Sequence, residues 1–254
     1  MSGYVGDLSI EQQRQLDIIN NKVKELKDPV LQNEINNLDD SMVLRFLRAR
    51  KWNEKDSFEM LHEALKFRAT FQNIGVNGIK PDMVENELKS GKSYFHGIDK
   101  GGRPVCVVKT SKHDSYNRDL DESMRYCVFV MENGKQMLKP GIETCTLIFD
   151  MSDFSSKNMD YPLVKFMVEL FQKFYPESLQ KCLILNAPWI FMGIWHIIKH
   201  WLDPNTASKV SFVKTKQLAD YIPKDQLEKN YGGTSDFVYT YKTPVVDDSK
   251  QVEN

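Results

Sequence analysis

Between residues 105 and 213, short β-prone runs alternate with longer segments of helical period, and this rhythm restricts the fold more than any other feature of the chain. The run 105–108 precedes 121–138, where Met124, Cys127, Val128, Met131 and Leu138 share one face. The run 144–149 precedes 160–174, with Leu163, Phe166, Met167, Leu170 and Phe174 on one face. A third run, 182–185, precedes 189–201, and 210–213 closes the series. Strand, helix, strand at this spacing is the pattern of βαβ units and predicts an α/β fold with a mostly parallel sheet.

The first 90 residues lack that alternation and read as helices. Ser9 and Gln12 form a capping-box pair for a polar helix reaching about Lys27. Asp40 is placed to cap 42–51, and Asn53 to cap 54–71, where Phe58, Leu61, Leu65 and Phe71 lie near helical spacing. Pro81 suits the first turn of a short helix ending near Gly91. Residues 223–231, closed by Gly232-Gly233, read as one more capped helix. The expected organisation is a helical N-terminal lobe over 1–90, an α/β lobe over 91–239 and a disordered polar tail over 240–254, with no internal repeat.

Lys and Arg number 34 against 35 Asp and Glu, a net charge of −1, so the broad positive field of non-specific nucleic-acid binding is missing and any anion site must be local. The stretch 1–7 has neither a basic region nor an apolar run, so a cytosolic location is expected. The longest apolar run, Ala187 to Ile198 broken by His196, covers about 12 residues where a spanning helix needs about 20. Cys106, Cys127, Cys145 and Cys182 are spread without a C-x-x-C pair, and are expected as inert thiols in apolar surroundings.

Catalytic signatures fail on inspection. Gly91-Lys92-Ser93 ends like a phosphate loop, but position 86 is Asn and a strand follows. His196 and His200 lie four apart, yet residue 197 is Ile where a zinc protease needs Glu, and no third ligand is evident, so no metal is expected. A nucleophile elbow and a dinucleotide fingerprint are both missing. Asp150 and Asp153 follow a strand of the expected parallel sheet, where α/β enzymes place reacting groups, and they hold open an enzymatic alternative.

Two features demand more than a structural account. From Trp189 to Trp201 the helix is apolar nearly all round. Such a helix is either buried on both sides or set between a cavity and a lipid surface. Its three tryptophans favour the second, since indole prefers the boundary of apolar and wet regions. The other feature is a scatter of charges at element ends: Arg45, Arg48 and Arg50, Glu177 in Tyr175-Pro176-Glu177, and Lys209 after Asp203-Pro204-Asn205-Thr206. Arg45 and Arg48 fit a solvated helix face.

Leu44-Arg45-Phe46-Leu47-Arg48-Ala49-Arg50-Lys51-Trp52, His96-Gly97-Ile98-Asp99-Lys100-Gly101-Gly102-Arg103-Pro104, Tyr175-Pro176-Glu177, Asn186-Ala187-Pro188 and Leu202-Asp203-Pro204 through Ser208-Lys209 stand in the order found in CRAL-TRIO lipid-binding proteins. The chain resembles the yeast-type phosphatidylinositol transfer proteins of that family over about residues 40–235. The resemblance implies a helical lobe followed by an α/β lobe whose sheet floors a lipid cavity, and a helix that gates it. It implies a non-enzymatic exchange protein with no cofactor beyond bound lipid. Carried over by position, the phosphatidylinositol head group would meet Arg50, Glu177, Thr206 and Lys209, with Asp203 beside them. Lys209 and Arg50 would neutralise phosphate, Thr206 would donate from its hydroxyl, and Glu177 would accept from inositol hydroxyls. The competing assignment for Glu177 and Lys209 is an ion pair joining strand ends.

The gate would comprise Trp189, Phe191, Ile194, Trp195, Ile198 and Trp201, with Trp195 or Trp201 anchoring in the membrane. For a second lipid, only Ser155 in Asp150-Met151-Ser152-Asp153-Phe154-Ser155-Ser156-Lys157-Asn158 corresponds to the Ser/Thr-based choline-phosphate site of relatives that exchange phosphatidylcholine. The departure leans toward the fungal azole-resistance branch, for which the resemblance implies a sterol or another apolar lipid. Implied partners are a transiently visited membrane surface, such as endoplasmic reticulum or lipid droplets, and a phosphoinositide kinase to which a lipid-sensing scaffold would present its ligand. Nucleic acid is not among them.

Overall fold

A computed structural model describes residues 1–241. Helix α1, Ile10–Lys24, begins with the expected capping box: the Gln12 N–H donates to the Ser9 hydroxyl at 3.1 Å, and the Gln12 side-chain Oε1 accepts from the Ser9 N–H at 2.9 Å. Leu16, Ile19 and Val23 recur on its inner face and are buried. After the short α2, Gln32–Asn36, helix α3 runs Asp40–Ala49. Its cap is Asp39, which takes the Met42 N–H at 2.7 Å, so Asp40 belongs to the first turn, where its charge suits the helix dipole. Asn53 caps α4, Glu54–Thr70, through the Asp56 N–H. These helices enclose a core of their own around Leu31, Val43, Phe46, Leu47, Leu61 and Leu65. Helix α5, Glu85–Ser90, ends on Gly91 at φ +60°, the left-handed position that glycine adopts without a Cβ penalty.

The sheet follows in the order β1-β2-β3-β4-β5: Ser93–Ile98, Pro104–Lys109, Cys145–Asp150, Leu179–Leu185 and Val210–Val213. The pair β1/β2 is antiparallel and the other three are parallel. The β1–β2 turn is built by Asp99, whose carboxylate accepts from the N–H groups of Gly101 and Arg103 and from the Thr146 hydroxyl. Three right-handed crossovers that step the same way along a sheet put their helices on one face. Helix α6, Leu120–Gln136, helix α7, Tyr161–Glu169, and helix α8, Trp189–Lys199, therefore share a side. Alternation divides the strands between two cores. Cys106, Leu147, Cys182 and Ile184 look toward the helices. Val105, Val107, Ile148, Leu183 and Leu185 look toward a C-terminal segment bearing Leu218, Ile222, Leu227 and Tyr231.

That segment corrects one expectation. Residues 223–231 form two 3₁₀ turns, Lys224–Gln226 and Lys229–Tyr231, with extended backbone between them. The Ser235 N–H donates to the Leu227 carbonyl and the Thr234 N–H to that of Lys224, a return pairing that a continuous helix would forbid. A second correction concerns 160–174. Helix α7 passes at Leu170 into a π-helical turn ending at Phe174. Its apolar residues then divide: Leu163, Met167 and Phe171 face the sheet side, while Phe166, Leu170 and Phe174 face the helical lobe, where Phe174 stacks on Phe67 with centroids 4.0 Å apart. Arg68 ties the lobes, with Nε on Glu34 at 2.7 Å and Nη1 on Glu132 at 2.8 Å. Arg45 and Arg48 are not on a solvated face. Their side chains are 16% and 10% exposed, and both pair with Glu143.

Candidate functional site

Between the helix-facing side of the sheet and α6, α7 and α8 lies a cavity of about 200 Å³ with an almost wholly apolar wall, including Leu147, Phe149, Ile184, Met167 and Phe171. Leu147 also lines a second chamber of about 830 Å³, bounded by α3, the C-terminal half of α6 and the loop 138–144. All four thiols fall on these walls: Cys127 and Cys182 in the smaller cavity, Cys106 and Cys145 in the larger. Burial pushes the thiols of Cys127 and Cys182 up to about 12 and that of Cys145 to about 11, and Cys106 is raised further. At neutral pH they are uncharged packing groups.

Helix α8 forms one wall. Phe191, Trp195 and Ile198 point into the cavity. On the other face, Trp189 is 86% exposed, Ile190 41%, Met192 47% and Ile197 47%. The helix is thus apolar on both sides because one side meets the cavity and the other is uncovered. Pro188 at its start has no capping side chain, and Gly193 has no atom within 4 Å of a Cβ position, so close packing does not require a glycine there. Neither of the expected anchors, Trp195 or Trp201, is among the large exposed apolar side chains. Trp195 lies inward with its ring 5.4 Å from Phe212, and Trp201 packs edge-on against Tyr161 while its carbonyl accepts from Gln172. Trp189 is the outward indole. Ile194 is partly buried against the same core.

The head-group residues gather at the start of β4 and around helix α9, Pro204–Ser208. Asp203 caps α9, accepting from the Thr206 N–H at 3.0 Å and the Thr206 hydroxyl at 2.6 Å. Burial pushes the Asp203 carboxyl up, but these bonds and the nearby Lys209 charge outweigh it and hold the group below its ordinary value. Glu177, at φ +55°, accepts from Asn205 at 3.2 Å. Glu177 and Lys209 form no ion pair among the described residues, so a strand-end salt bridge does not account for them. Thr206 lines the smaller cavity, and Tyr175, Pro176 and Ser178 beside Glu177 line the larger. Arg50 stands apart, exposed at the C-cap of α3 and making no side-chain hydrogen bond or ion pair among the described residues. Ser155 is exposed, and its hydroxyl donates to Asn158 at 3.0 Å in a local cap, away from the cavity wall.

The enzymatic alternative finds no machinery at its residues. The Asp150 carboxylate accepts from the Tyr231 hydroxyl at 2.7 Å and the Ser152 N–H at 3.0 Å, toward the sheet face opposite the cavity. Asp153 is exposed, at φ +60° in a turn. Among the described residues no helix is long and apolar enough to cross a membrane.

A buried polar cluster in the smaller cavity escapes sequence reasoning. Lys92 pairs with Glu87 and lies 2.9 Å from His113 Nδ1. His113 Nε2 meets Asp160 at 3.1 Å, and Arg118 Nε donates to Asp160 at 2.6 Å. Since Nδ1 must accept from the ammonium, the ring proton sits on Nε2 and is donated to Asp160. Burial, then the Lys92 charge, pushes the His113 pKa down despite Asp160. Burial raises Asp160, but Arg118, the Leu163 N–H and His113 hold it below its ordinary value. These residues come from three separate stretches of chain, 87–92, 113–118 and 160, and the only sequence signal was the lysine of Gly91-Lys92-Ser93.

Residues 88–233 match the CRAL/TRIO domain, and residues 22–63 match the CRAL/TRIO N-terminal domain. A CRAL-TRIO domain-containing protein of Schizosaccharomyces pombe is 40% identical over 222 residues, covering 85% of this chain and 50% of that protein. The phosphatidylinositol transfer protein CSR1 of Eremothecium gossypii is 37% identical over 208 residues, covering 78% of this chain and 48% of its own. The SEC14 cytosolic factor of Yarrowia lipolytica is 34% identical, covering 92% and 50%. The chain spans about half the length of these curated relatives. The crystal structure of Sfh5 superposes with a TM-score of 0.65 over 87% of this chain and 88% of that one at 18% identity, which speaks to fold alone. With both of its domains matched in order and an apolar cavity between its sheet and helices, the chain belongs to the CRAL/TRIO family.

Proposed function

We propose that the protein binds phosphatidylinositol and exchanges it between membranes, alternating with a second apolar lipid in the same cavity. One observation carries the reading: an apolar cavity closed by a helix whose outer face is itself apolar and uncovered. The name of the CSR1 relative, a phosphatidylinositol transfer protein, supports it. The head group is assigned to Glu177, Thr206 and Lys209, with Asp203 orienting Thr206, and Arg50 arriving as the α3 end and the start of β4 close on one anion. Residues 1–90 and 91–239 act as the two lobes of this unit, and the tail beyond 241 lies outside the described residues.

Exchange proceeds without bond chemistry. Burying about 30 methylenes at ~0.8 kcal/mol each is worth ~24 kcal/mol from water, but a bilayer already supplies nearly all of it. Net affinity therefore comes from the head-group bonds, and swapping one lipid for another is easier than extracting one. The α8 helix opens at the membrane, its outer side chains enter the headgroup region, and the tails cross an apolar path. The protein on this reading works in the cytoplasm and visits membranes transiently, the endoplasmic reticulum or lipid droplets among them. Ser155 is proposed only as a contact at the loop beyond β3, and the second lipid is a sterol or phosphatidylcholine.

The test is mass spectrometry of an organic extract of the purified protein, together with transfer of labelled phosphatidylinositol between vesicles. Stoichiometric phosphatidylinositol and measurable transfer are expected. Bound lipid with no transfer would favour a scaffold that presents the lipid to a phosphoinositide kinase. An extract without lipid would overturn the reading.

A further inference from the structure

The larger chamber, of about 830 Å³, carries an imbalance of charge where α3 meets it. The side chains of Arg45 and Arg48 are 16% and 10% exposed, and both turn to one carboxylate, Glu143. Arg48 is the better served: it pairs with Glu143, its Nη1 donates to the Gly3 carbonyl at 2.9 Å, and the centroid of the Tyr4 ring lies 4.0 Å from its Cζ. Both Glu143 oxygens are engaged, one by Arg48 and the other by the Ser41 hydroxyl at 3.0 Å. Arg45 approaches Glu143 only to 3.7 Å, outside hydrogen-bond range, and makes no hydrogen bond among the described residues. Two guanidiniums that share one carboxylate leave a positive charge unmatched. Burial pushes the Arg45 pKa down by more than Glu143 restores, with Arg48 adding to the fall.

The rest of the described wall does not supply the missing negative charge. Arg68 is matched twice over, by Glu34 and by Glu132, which also accepts from the Tyr175 hydroxyl at 2.7 Å. Among the exposed charges of the wall, Lys135 and Lys139 stand against Asp7 and Asp39, and both carboxylates already accept backbone N–H groups, those of Ser2 and Met42. The Thr144 hydroxyl accepts from Arg103, and that of Ser178 donates to the Tyr175 carbonyl. Arg45 is therefore an enclosed cation with donors to spare. Its nitrogens are not sealed in by protein, unlike the Nε of Arg48, which is buried without a partner. Next to it the wall is apolar, with Phe46, Phe95, Val130, Met131 and Leu147, and Leu147 joins this chamber to the smaller cavity.

We propose that the larger chamber binds a long-chain carboxylate, a free fatty acid, with its head on the guanidinium of Arg45 and its hydrocarbon chain along the apolar wall toward Leu147. A guanidinium presents parallel N–H donors that match the two oxygens of a carboxylate, and such charge-assisted pairs are the strong ones. One negative charge balances Arg45 and Arg48 against Glu143. A phosphate monoester brings close to two, and the second would face Glu143 with no cation to receive it. A fatty alcohol fills the same apolar volume but leaves the cation unmatched. Glu143 and Arg48 are positioning residues, since they hold α3 against the loop 138–144 and fix the side of the chamber on which Arg45 stands. The site goes beyond the proposed exchange of phosphatidylinositol and uses none of Glu177, Thr206 and Lys209.

The test titrates the full chain, stripped of lipid, with oleate, oleyl alcohol and oleyl phosphate, each below its micelle concentration, and follows the heat of binding. The wild type is expected to bind oleate about tenfold or more tightly than oleyl alcohol, as a charge-assisted hydrogen bond allows, and more tightly than oleyl phosphate. Arg45→Gln should bring oleate down to the level of the alcohol and leave alcohol binding unchanged. That variant keeps Arg48 on Glu143 as a balanced pair, so its melting temperature should stay near that of the wild type. Glu143→Gln acts in the opposite direction: it leaves both guanidiniums unmatched and should tighten oleate, which decides the matter should the first variant fail to fold. Lys209→Ala should keep the preference for oleate. Equal binding of oleate and oleyl alcohol by the wild type, binding of neither, tightest binding of oleyl phosphate, a preference that survives Arg45→Gln, weaker oleate binding by Glu143→Gln, or a preference lost in Lys209→Ala would each overturn the proposal. The last result would assign the carboxylate to the residues around α9.

Discussion

The outer face of α8 makes a demanding prediction, because Trp189 and Trp195 lie on one helix and should behave oppositely when truncated. Trp189 is 86% exposed, and its removal deletes almost no packing, so Trp189→Ala should leave the melting temperature nearly unchanged. A tryptophan side chain carries ~150–250 Å² of surface. At ~25 cal/mol per Å², full burial of that area would be worth ~4–6 kcal/mol. An indole at the headgroup level is about half removed from water, which leaves ~2 kcal/mol of membrane contact, a loss of roughly 30-fold in vesicle affinity. Trp195→Ala instead empties part of the cavity wall and should cost ~2–4 kcal/mol of stability. The assay is vesicle sedimentation and lipid transfer, paired with thermal melts of both variants. Transfer by Trp189→Ala should fall for every lipid alike. Since the outer face carries only Lys199 besides its histidines, raising the salt should change the binding little. Unaltered vesicle binding by Trp189→Ala, or a melting shift as large as that of Trp195→Ala, would refute the docking face.

Three further outcomes follow from the site. Glu177→Ala or Lys209→Ala should remove phosphatidylinositol transfer, at ~2–5 kcal/mol for a charge partner lost from a partly buried site, while exchange of the second lipid survives; equal loss of both lipids with a lowered melting temperature would return these residues to a structural role. A short thiol cross-link between cysteines placed at Phe154 and Phe191, whose rings are 5.7 Å apart, should retain bound lipid and stop exchange, and undiminished transfer by the linked protein would remove α8 as gate. The His113 pKa is depressed in the folded state, so the native protein binds fewer protons than the unfolded chain below about pH 6.5. Stability should be flat above that value and fall on acidification below it; His113→Gln, which keeps an acceptor and a donor, should flatten the denaturation midpoint between about pH 6.5 and 5, and an unchanged slope would place the titration elsewhere.

The sheet was legible because strands buried on both faces and helices with one apolar stripe have different periods, and loops of ordinary length separate them. The capping box of Ser9 and Gln12 was legible for the same local reason. What sequence could not carry was anything set by a neighbour. Arg45 and Arg48 look like a solvated stripe until the loop 138–144 brings Glu143 against them. Helix α7 looks one-faced until the π turn at Leu170 serves two cores at once. At the site, the residues of 203–209 are local and their mutual bonds were within reach, yet where Arg50 stands relative to this group is set by tertiary packing and not by spacing. The polar cluster had no spacing at all: positions 87, 92, 113, 118 and 160 meet only through the β1–β2 register and the α6 and α7 starts.

The two polar regions of the chamber differ in a way that bears on exchange. Around α9, Glu177, Asp203 and Lys209 are half-exposed, and their partners can be traded for water or a head group as a lipid leaves. Around Lys92, the charges are enclosed and mutually paired, so they need no ligand to complete them. On the proposed reading, a lipid carrying a large polar head would be held at the mouth, with its tails inward, while a lipid with little polarity would rest on the apolar wall and present nothing to the mouth. Both would compete for the same apolar volume around Leu147, Phe149 and Ile184. On the proposed reading, occupation by one would exclude the other through that shared volume and not through the polar contacts, so loading of each lipid should depend on its abundance in the membrane where α8 would open. Exchange of unlike lipids between unlike membranes would then need no input beyond the difference in composition, since each departing lipid would leave a cavity whose apolar wall accepts the next at nearly the free energy of the bilayer.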